Sequence, residues 1–270
     1  MEISEEIRIK TAATENFNTD YFSFGRGKRS LVILPGLSVQ SVMGAAKEIA
    51  AAYRNIAEEF TVYVFDRRKE LPEEYSVCEM ARDTAAAIRA AGIERTAVFG
   101  ASQGGMIALE IAANFPELVE KLALGCTAAR VTDKAYAVIE KWIRFAEKGD
   151  AEGLYTAFAK TVYPKDVFEK SRRALKEAAK TVKAEDLKRF IILGRTIKDF
   201  DATKELEKIV CPVFATGDTD DRVFGADAAE TIREYAKNAL NFDLYIYDGY
   251  GHAAYDTAPD YKERLLKFLR

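Results

Sequence analysis

Short apolar runs, rich in β-branched and aromatic residues and closed by turn residues, alternate along this chain with longer segments of helical periodicity. The runs are Tyr21-Phe22-Ser23-Phe24, Leu31-Val32-Ile33-Leu34, Thr61-Val62-Tyr63-Val64-Phe65, Ala97-Val98-Phe99, Lys121-Leu122-Ala123-Leu124, Pro212-Val213-Phe214-Ala215 and Asp243-Leu244-Tyr245-Ile246-Tyr247. Runs of this kind fit strands buried on both faces. Their alternation with helical segments restricts the chain to an α/β architecture, a mostly parallel sheet with helices on its faces. The first two runs flank Gly25-Arg26-Gly27-Lys28 and are expected to form a hairpin feeding the sheet. Helices are expected at roughly 41–60, 78–91, 103–114, 225–238 and 259–269.

One stretch breaks the alternation. From about Thr127 to Asp201 there is no strand signal. Ala135, Val138, Ile139, Trp142 and Ala146 recur at helical spacing, as do Leu154, Tyr155, Phe158 and Val162, then Leu187, Phe190 and Ile191. Three or four helices inserted between two strands suggest a lid over the sheet ends, dividing the chain into a core of residues 1–126 and 206–270 and a cap of 127–205. Most of these apolar stripes serve packing. Trp142, Phe145, Tyr155 and Phe158 are the candidates for facing a substrate pocket, with Phe168 beside them.

Composition excludes several functions. Forty basic and 43 acidic residues leave a net charge of −3, no footprint for nucleic acid or an acidic membrane surface. No run approaches the roughly 20 apolar residues that span a bilayer. The acidic start Met1-Glu2-Ile3-Ser4-Glu5-Glu6 lacks the basic and apolar parts of a secretory signal. Cys78, Cys126 and Cys211 have no metal-type spacing, and the chain holds a single histidine, so no metal site is expected. A reduced cytoplasmic setting is the default.

That lone histidine, His252, sits in Asp248-Gly249-Tyr250-Gly251-His252, on a loop after the last apolar run. Far upstream, Gly100-Ala101-Ser102-Gln103-Gly104 joins a strand to a helix. A Gly-x-Ser-x-Gly turn in that setting exposes a strained serine hydroxyl, and flanking glycines let strand and helix approach. Ser102 is the candidate nucleophile and His252, as imidazole, the candidate proton shuttle. Between them lies Asp218-Thr219-Asp220-Asp221. Counting three residues on from Gly217 favours Asp220 as the acid. The following Arg222-Val223 fits a carboxylate at Asp221, and Asp218 stays open. Two backbone amides are needed for an oxyanion hole. That of Gln103 follows the nucleophile, and Pro35-Gly36-Leu37-Ser38, after an earlier strand, offers that of Leu37.

These segments together resemble the α/β-hydrolase fold family in its lid-bearing, lactonase- and carboxylesterase-like branch. The resemblance spans roughly residues 22–269. It is carried by Leu31-Val32-Ile33-Leu34-Pro35-Gly36, Val64-Phe65-Asp66-Arg67-Arg68, Phe99-Gly100-Ala101-Ser102-Gln103-Gly104-Gly105, Asn114-Phe115-Pro116-Glu117, Cys211-Pro212-Val213-Phe214-Ala215-Thr216-Gly217 and Gly251-His252. It implies an eight-stranded sheet, a helical lid after the sixth strand, no cofactor, and hydrolysis of a small-molecule ester-like substrate through an acyl-enzyme, by a monomer or homodimer. Two departures stand out. Pro35-Gly36 replaces the family's usual His-Gly, and Asp66-Arg67-Arg68-Lys69 keeps only the first half of its Asp-x-Arg-Gly-x-Gly pattern. A non-catalytic binding protein and a cofactor-free lyase on the same fold are the rival expectations.

Overall fold

Each run read as a strand takes its place in one sheet of a computed structural model that describes residues 7–270. The acidic stretch at residues 1–6 lies outside the described residues. The strands are β1 Ile9–Ala13, β2 Asn18–Phe24, β3 Arg29–Leu34, β4 Phe60–Arg68, β5 Thr96–Ala101, β6 Val119–Gly125, β7 Val213–Asp218 and β8 Phe242–Tyr247. Among the described residues they form an eight-stranded sheet in the order β1-β2-β4-β3-β5-β6-β7-β8. β1 and β2 pair antiparallel with their neighbours, and every pairing from β4 through β8 is parallel.

The expected hairpin does not form. β2 and β3 each pair with β4, which lies between them. Residues 25–28 instead cross over the start of β4. Gly25 turns at φ +86°, and a Cβ on Gly27 would stand 1.8 Å from the Glu59 carbonyl oxygen, so only glycine fits so close a crossing. The Thr61 hydroxyl donates to the Gly27 carbonyl at 2.7 Å and fastens it.

Alternate residues of the central strands feed two cores, as the period of a strand requires. Val32, Leu34, Val98, Leu122 and Leu124 face one side, and Leu31, Ile33, Ala97, Phe99 and Ala123 the other. The helices α1 Ala46–Ala52 and α2 Arg54–Ala57 replace the single helix expected over 41–60, and a 3₁₀ turn, Val42–Ala45, precedes them. α3 Val77–Ala90 starts at a reciprocal cap, in which Ser76 and Glu79 each bind the other's amide. α4 Gln103–Asn114 is buried on every face from Gln103 to Ala113 and is the central helix of the fold.

Between β6 and β7 come α5 Asp133–Glu147, α6 Ala151–Val162, α7 Lys165–Ala179 and α8 Ala184–Arg195. Thr132 caps α5 and Asp150 caps α6, each accepting an amide of the first turn. The chain leaves and re-enters the sheet layer through a narrow neck. There the Val131 amide donates to the Phe200 carbonyl at 2.8 Å, and the Ala202 amide to the Ala129 carbonyl at 2.9 Å. α9 Ala228–Tyr235, α10 Ala254–Thr257 and α11 Tyr261–Leu269 complete the chain. Among the described residues no helix is long and apolar enough to cross a membrane.

Because β3 and β5 to β8 run parallel, the loops after Leu34, Ala101, Gly125, Asp218 and Tyr247 all emerge at one edge. That edge carries the functional groups in open α/β sheets.

Candidate active site

Ser102 stands between β5 and α4 with φ 50° and ψ −122°, a conformation that side chains seldom adopt. Three glycines make the turn sterically feasible. A Cβ on Gly100 would lie 2.4 Å from the Gly104 carbonyl oxygen, one on Gly104 2.0 Å from that of Leu34, and one on Gly105 2.5 Å from the Thr127 Cβ. Backbone bonds hold the strained residue: its amide donates to Gly125 at 2.9 Å, and its carbonyl accepts the Thr127 hydroxyl at 2.7 Å.

His252 lies 2.8 Å from Ser102 Oγ through Nε2. Its Nδ1 faces both oxygens of Asp221, at 3.0 and 2.9 Å. A carboxylate can only accept, so Nδ1 carries the proton and Nε2 is free to receive the serine hydroxyl. Histidine and carboxylate are buried, at 2% and 7% exposure. A carboxylate there, short of water, needs partners. Asp221 Oδ1 also accepts the amides of Val223 at 2.8 Å and Phe224 at 3.1 Å. Burial by itself raises the Asp221 pKa. The charge and hydrogen bond of His252, with those two amides, outweigh it and hold the carboxyl below its ordinary value.

The preference for Asp220 is therefore corrected: its side chain is exposed, while Asp221 faces the ring. The reason is a tight turn after β7, where the Asp221 amide donates to the Asp218 carbonyl at 3.1 Å and rotates Asp220 outward. Asp218 is fully buried but does not reach the imidazole; Oδ1 accepts the Asp220 amide at 2.8 Å and Oδ2 the Tyr250 amide at 2.9 Å. The histidine loop bends at Gly249 and Gly251, with φ +79° and +69°. The Ala253 amide, next to the imidazole, donates to the Val162 carbonyl of α6 at 3.2 Å.

On the opposite side of Ser102 lies the loop after β3. A Cβ on Gly36 would be 3.1 Å from the Ser102 Cβ, so the absence of one brings Leu37 to the nucleophile. Gln103 opens α4, and its amide is one of those that a helix leaves without an internal partner. The Ser38 hydroxyl donates to the Gln40 carbonyl at 2.8 Å, a turn contact.

Gly36, Leu37, Ser102, Ile139, Trp142, Phe158, Val162, Ile197, Val223, Phe224, His252 and Tyr255 line a small pocket above these groups. Trp142 and Phe158 are thus at the site, their rings 4.6 Å apart. Phe145 and Tyr155 are not among the lining residues; Phe145 packs beside Gly153, and the Tyr155 hydroxyl donates to Gln40 Oε1 at 3.1 Å. Phe168 is buried in α7 under Arg172. Ile197, Phe224 and Tyr255 also line the pocket and were not singled out in the sequence. Phe224 meets the imidazole edge-on at 5.2 Å, and its nearness to the acidic run was the one available signal. Among the described residues no three His, Cys, Asp or Glu side chains gather to hold a metal ion.

The sequence matches the family model for the alpha/beta hydrolase fold over residues 30–259. It is 25% identical over 221 residues, covering 78% of this chain and 81% of the relative, to a protein of Enterobacter cloacae subsp. cloacae named "Putative carbamate hydrolase RutD". The enol-lactonase from Burkholderia xenovorans LB400 superposes with a TM-score of 0.81 at 18% identity, over 96% of this chain and 99% of that one. The 2-hydroxy-6-oxo-6-phenylhexa-2,4-dienoate hydrolase of Rhodococcus sp. strain RHA1 gives 0.78 at 18% identity, over 97% of each chain. At such identities the two structures speak to fold alone.

Proposed function

The chain belongs to the alpha/beta hydrolase fold family, and from that premise we propose that it is a serine hydrolase cleaving a small carboxylic ester-type bond (ester, lactone or thioester) through an acyl-enzyme. The observation that carries this reading is the series Ser102 Oγ, His252 Nε2, His252 Nδ1 and Asp221, closed by contacts of 2.8 and 2.9 Å. Ser102 Oγ adds to the carbonyl carbon while its proton passes to Nε2. Asp221 holds the ring in the required tautomer and stabilises the imidazolium. The amides of Leu37 and Gln103 receive the oxyanion. The intermediate then expels its leaving group, which takes the proton from His252, and water deprotonated by the same imidazole releases the acid. The inserted helices act as a lid, since α5 and α6 supply Trp142, Phe158 and Val162 to the pocket.

The pocket lining supports an uncharged, apolar acyl group. No Lys, Arg, Asp or Glu is among the lining residues. A dienoate such as the one named for the Rhodococcus enzyme is an anion, and here no lining cation would meet it. The lining side chains leave little free space between them, which favours a short acyl chain. The name of the RutD relatives makes a carbamate a necessary member of any substrate panel.

A fluorophosphonate probe should label the wild type and not Ser102→Ala. Short p-nitrophenyl esters should turn over, ahead of long-chain or carboxylate-bearing ones, with a thioester, a lactone and a carbamate run beside them. A wild type that is neither labelled nor able to turn over any of these substrates would sink the reading and favour a binding protein on this fold.

A further inference from the structure

We propose that Arg67 is a positioning residue that sets the spacing of the two oxyanion amides. The inference rests on the hydrolase reading and on Leu37 and Gln103 as the donors. Arg67 is the last residue but one of β4, the strand beside β3, and its side chain is almost wholly buried, at 6% exposure. A single nitrogen, Nη2, donates to the Pro35 carbonyl at 2.7 Å and to the side-chain carbonyl oxygen of Gln103 at 3.4 Å. Pro35 lies two residues before the Leu37 amide, and Gln103 carries the other amide. One guanidinium nitrogen thus bridges the two segments whose separation defines the hole.

Both partners are fixed from their far sides. Gln103 Nε2 donates to the Leu193 carbonyl at 2.7 Å and the Thr196 hydroxyl at 3.1 Å, at the end of α8. Arginine offers no acceptor and a carbonyl no donor, so the Gln103 amide can face only one way. The missing side chain of Gly104 lets the Pro35 carbonyl lie against α4; a Cβ there would be 2.5 Å from it. Among the described residues no other hydrogen bond reaches that carbonyl, so without Arg67 Gly36 would let the loop swing.

A purely structural role accounts poorly for this residue. Burial, reinforced by Arg189, pulls its pKa down to about 10 against the pull of Asp66. Its Nε is buried with no hydrogen-bond partner among the described residues. Such a buried, incompletely paired charge adds little stability and is often replaceable by an apolar side chain. What it does supply is a fixed anchor for a preorganised hole, where a displacement of about 1 Å can cost about a hundredfold in rate.

The test compares kcat and KM, per titrated active site, for the wild type, Arg67→Met and Arg67→Lys with p-nitrophenyl butyrate, together with inhibition by a trifluoromethyl ketone, whose adduct places an oxyanion in the hole. Arg67→Met should lower kcat about tenfold to a hundredfold, less than or comparable to losing one donor outright. KM should hold within about twofold, and the ketone should weaken by about the same factor as kcat, because only the oxyanion uses the hole. Arg67→Lys, able to keep the Pro35 bond but not the bridge, should recover part of the loss. If Arg67→Met fails to fold, the Lys variant decides by the same split. Unchanged kcat and ketone binding, or a change confined to KM, overturns the proposal. Wild-type turnover with unmoved Arg67 variants removes this inference alone. A wild type without turnover, or turnover surviving Ser102→Ala, removes the hydrolase reading and this with it.

Discussion

Asp218 joins the loop of the acid to the loop of the histidine: one carboxylate oxygen accepts the amide of Asp220, and the other the amide of Tyr250, 2.8 and 2.9 Å away. The two loops come from different strands, β7 and β8, and register alone would not fix their tips. A buried carboxylate with two amide donors does. A second link runs between Thr219 and Asp248, whose side chains hydrogen-bond. Asp218→Ala should therefore lower stability by about 2–3 kcal/mol, the worth of hydrogen bonds to a charged group. It should also lower kcat as His252 loses its fixed aim, with little change in KM. Asp218→Asn keeps a single carbonyl acceptor and should fall between. Thermal unfolding and steady-state kinetics on the same preparations check both effects; a fully active Asp218→Ala would remove the staple.

Asp221 and Asp220 are neighbours with opposite expected sensitivities. Asp221→Asn should cost about 10⁴-fold in kcat, the loss seen when the same change is made in a serine protease triad. The amide no longer enforces the productive tautomer. Asp220→Ala should stay within about twofold, because its side chain is exposed and surface substitutions rarely matter. The pair is measured by ester turnover per folded enzyme, and equal losses in the two variants would contradict the geometry.

The parts of this molecule that can be read in the sequence are those set by local chemistry. The strand, turn and helix around Ser102 are one such part, since Gly100 and Gly104 leave few alternatives, and α4 spans the residues read as a helix. What escaped depends on distant partners. β1 is exposed along Ile9-Lys10-Thr11-Ala12-Ala13 except at Ala12, so it carries no apolar alternation; backbone pairing to β2 makes it a strand. The glycine-rich link after Phe24 looks like a hairpin until β4, from some 35 residues downstream, takes the place between its arms. The acid was undecidable for a related reason. Three carboxylates within four residues differ only in where one tight turn points them. The stripes on α5 and α6 contained Trp142 and Phe158 but could not separate them from Phe145 and Tyr155, because helical spacing is the same for a residue facing a pocket and one facing a core.

Two glycine substitutions should behave oppositely. On Gly104 an added Cβ would meet the carbonyl oxygens of Leu34 at 2.0 Å and Pro35 at 2.5 Å, both backbone. Relief requires α4 to move away from β3, which displaces Ser102 and the oxyanion loop together. Gly104→Ala should lose at least about 2–3 kcal/mol, in the range of overpacked interiors, and most activity. Gly44→Ala meets nothing within 4 Å and has no positive φ, so it should be neutral to slightly stabilising through the unfolded chain. Chemical denaturation of both variants provides the comparison.

The Asp221 carboxyl also ties stability to pH. Its pKa in the folded protein is depressed: burial opposes ionisation, but His252 and the two amides more than compensate. In the unfolded chain it returns to the ordinary carboxylate value, about 3.9. Between those two values the unfolded state binds more protons than the folded one, so stability rises with pH through that window. The contribution is complete above the unfolded value and is lost as pH falls through the lower, folded one. Asp221→Asn lacks this titration. Its unfolding midpoint should sit below that of the wild type at neutral pH, and the gap should close as the pH drops beneath about 4. Urea unfolding of the two proteins across pH 3 to 7 tests it; a gap independent of pH would mean that the charge on Asp221 does not contribute to holding the site together.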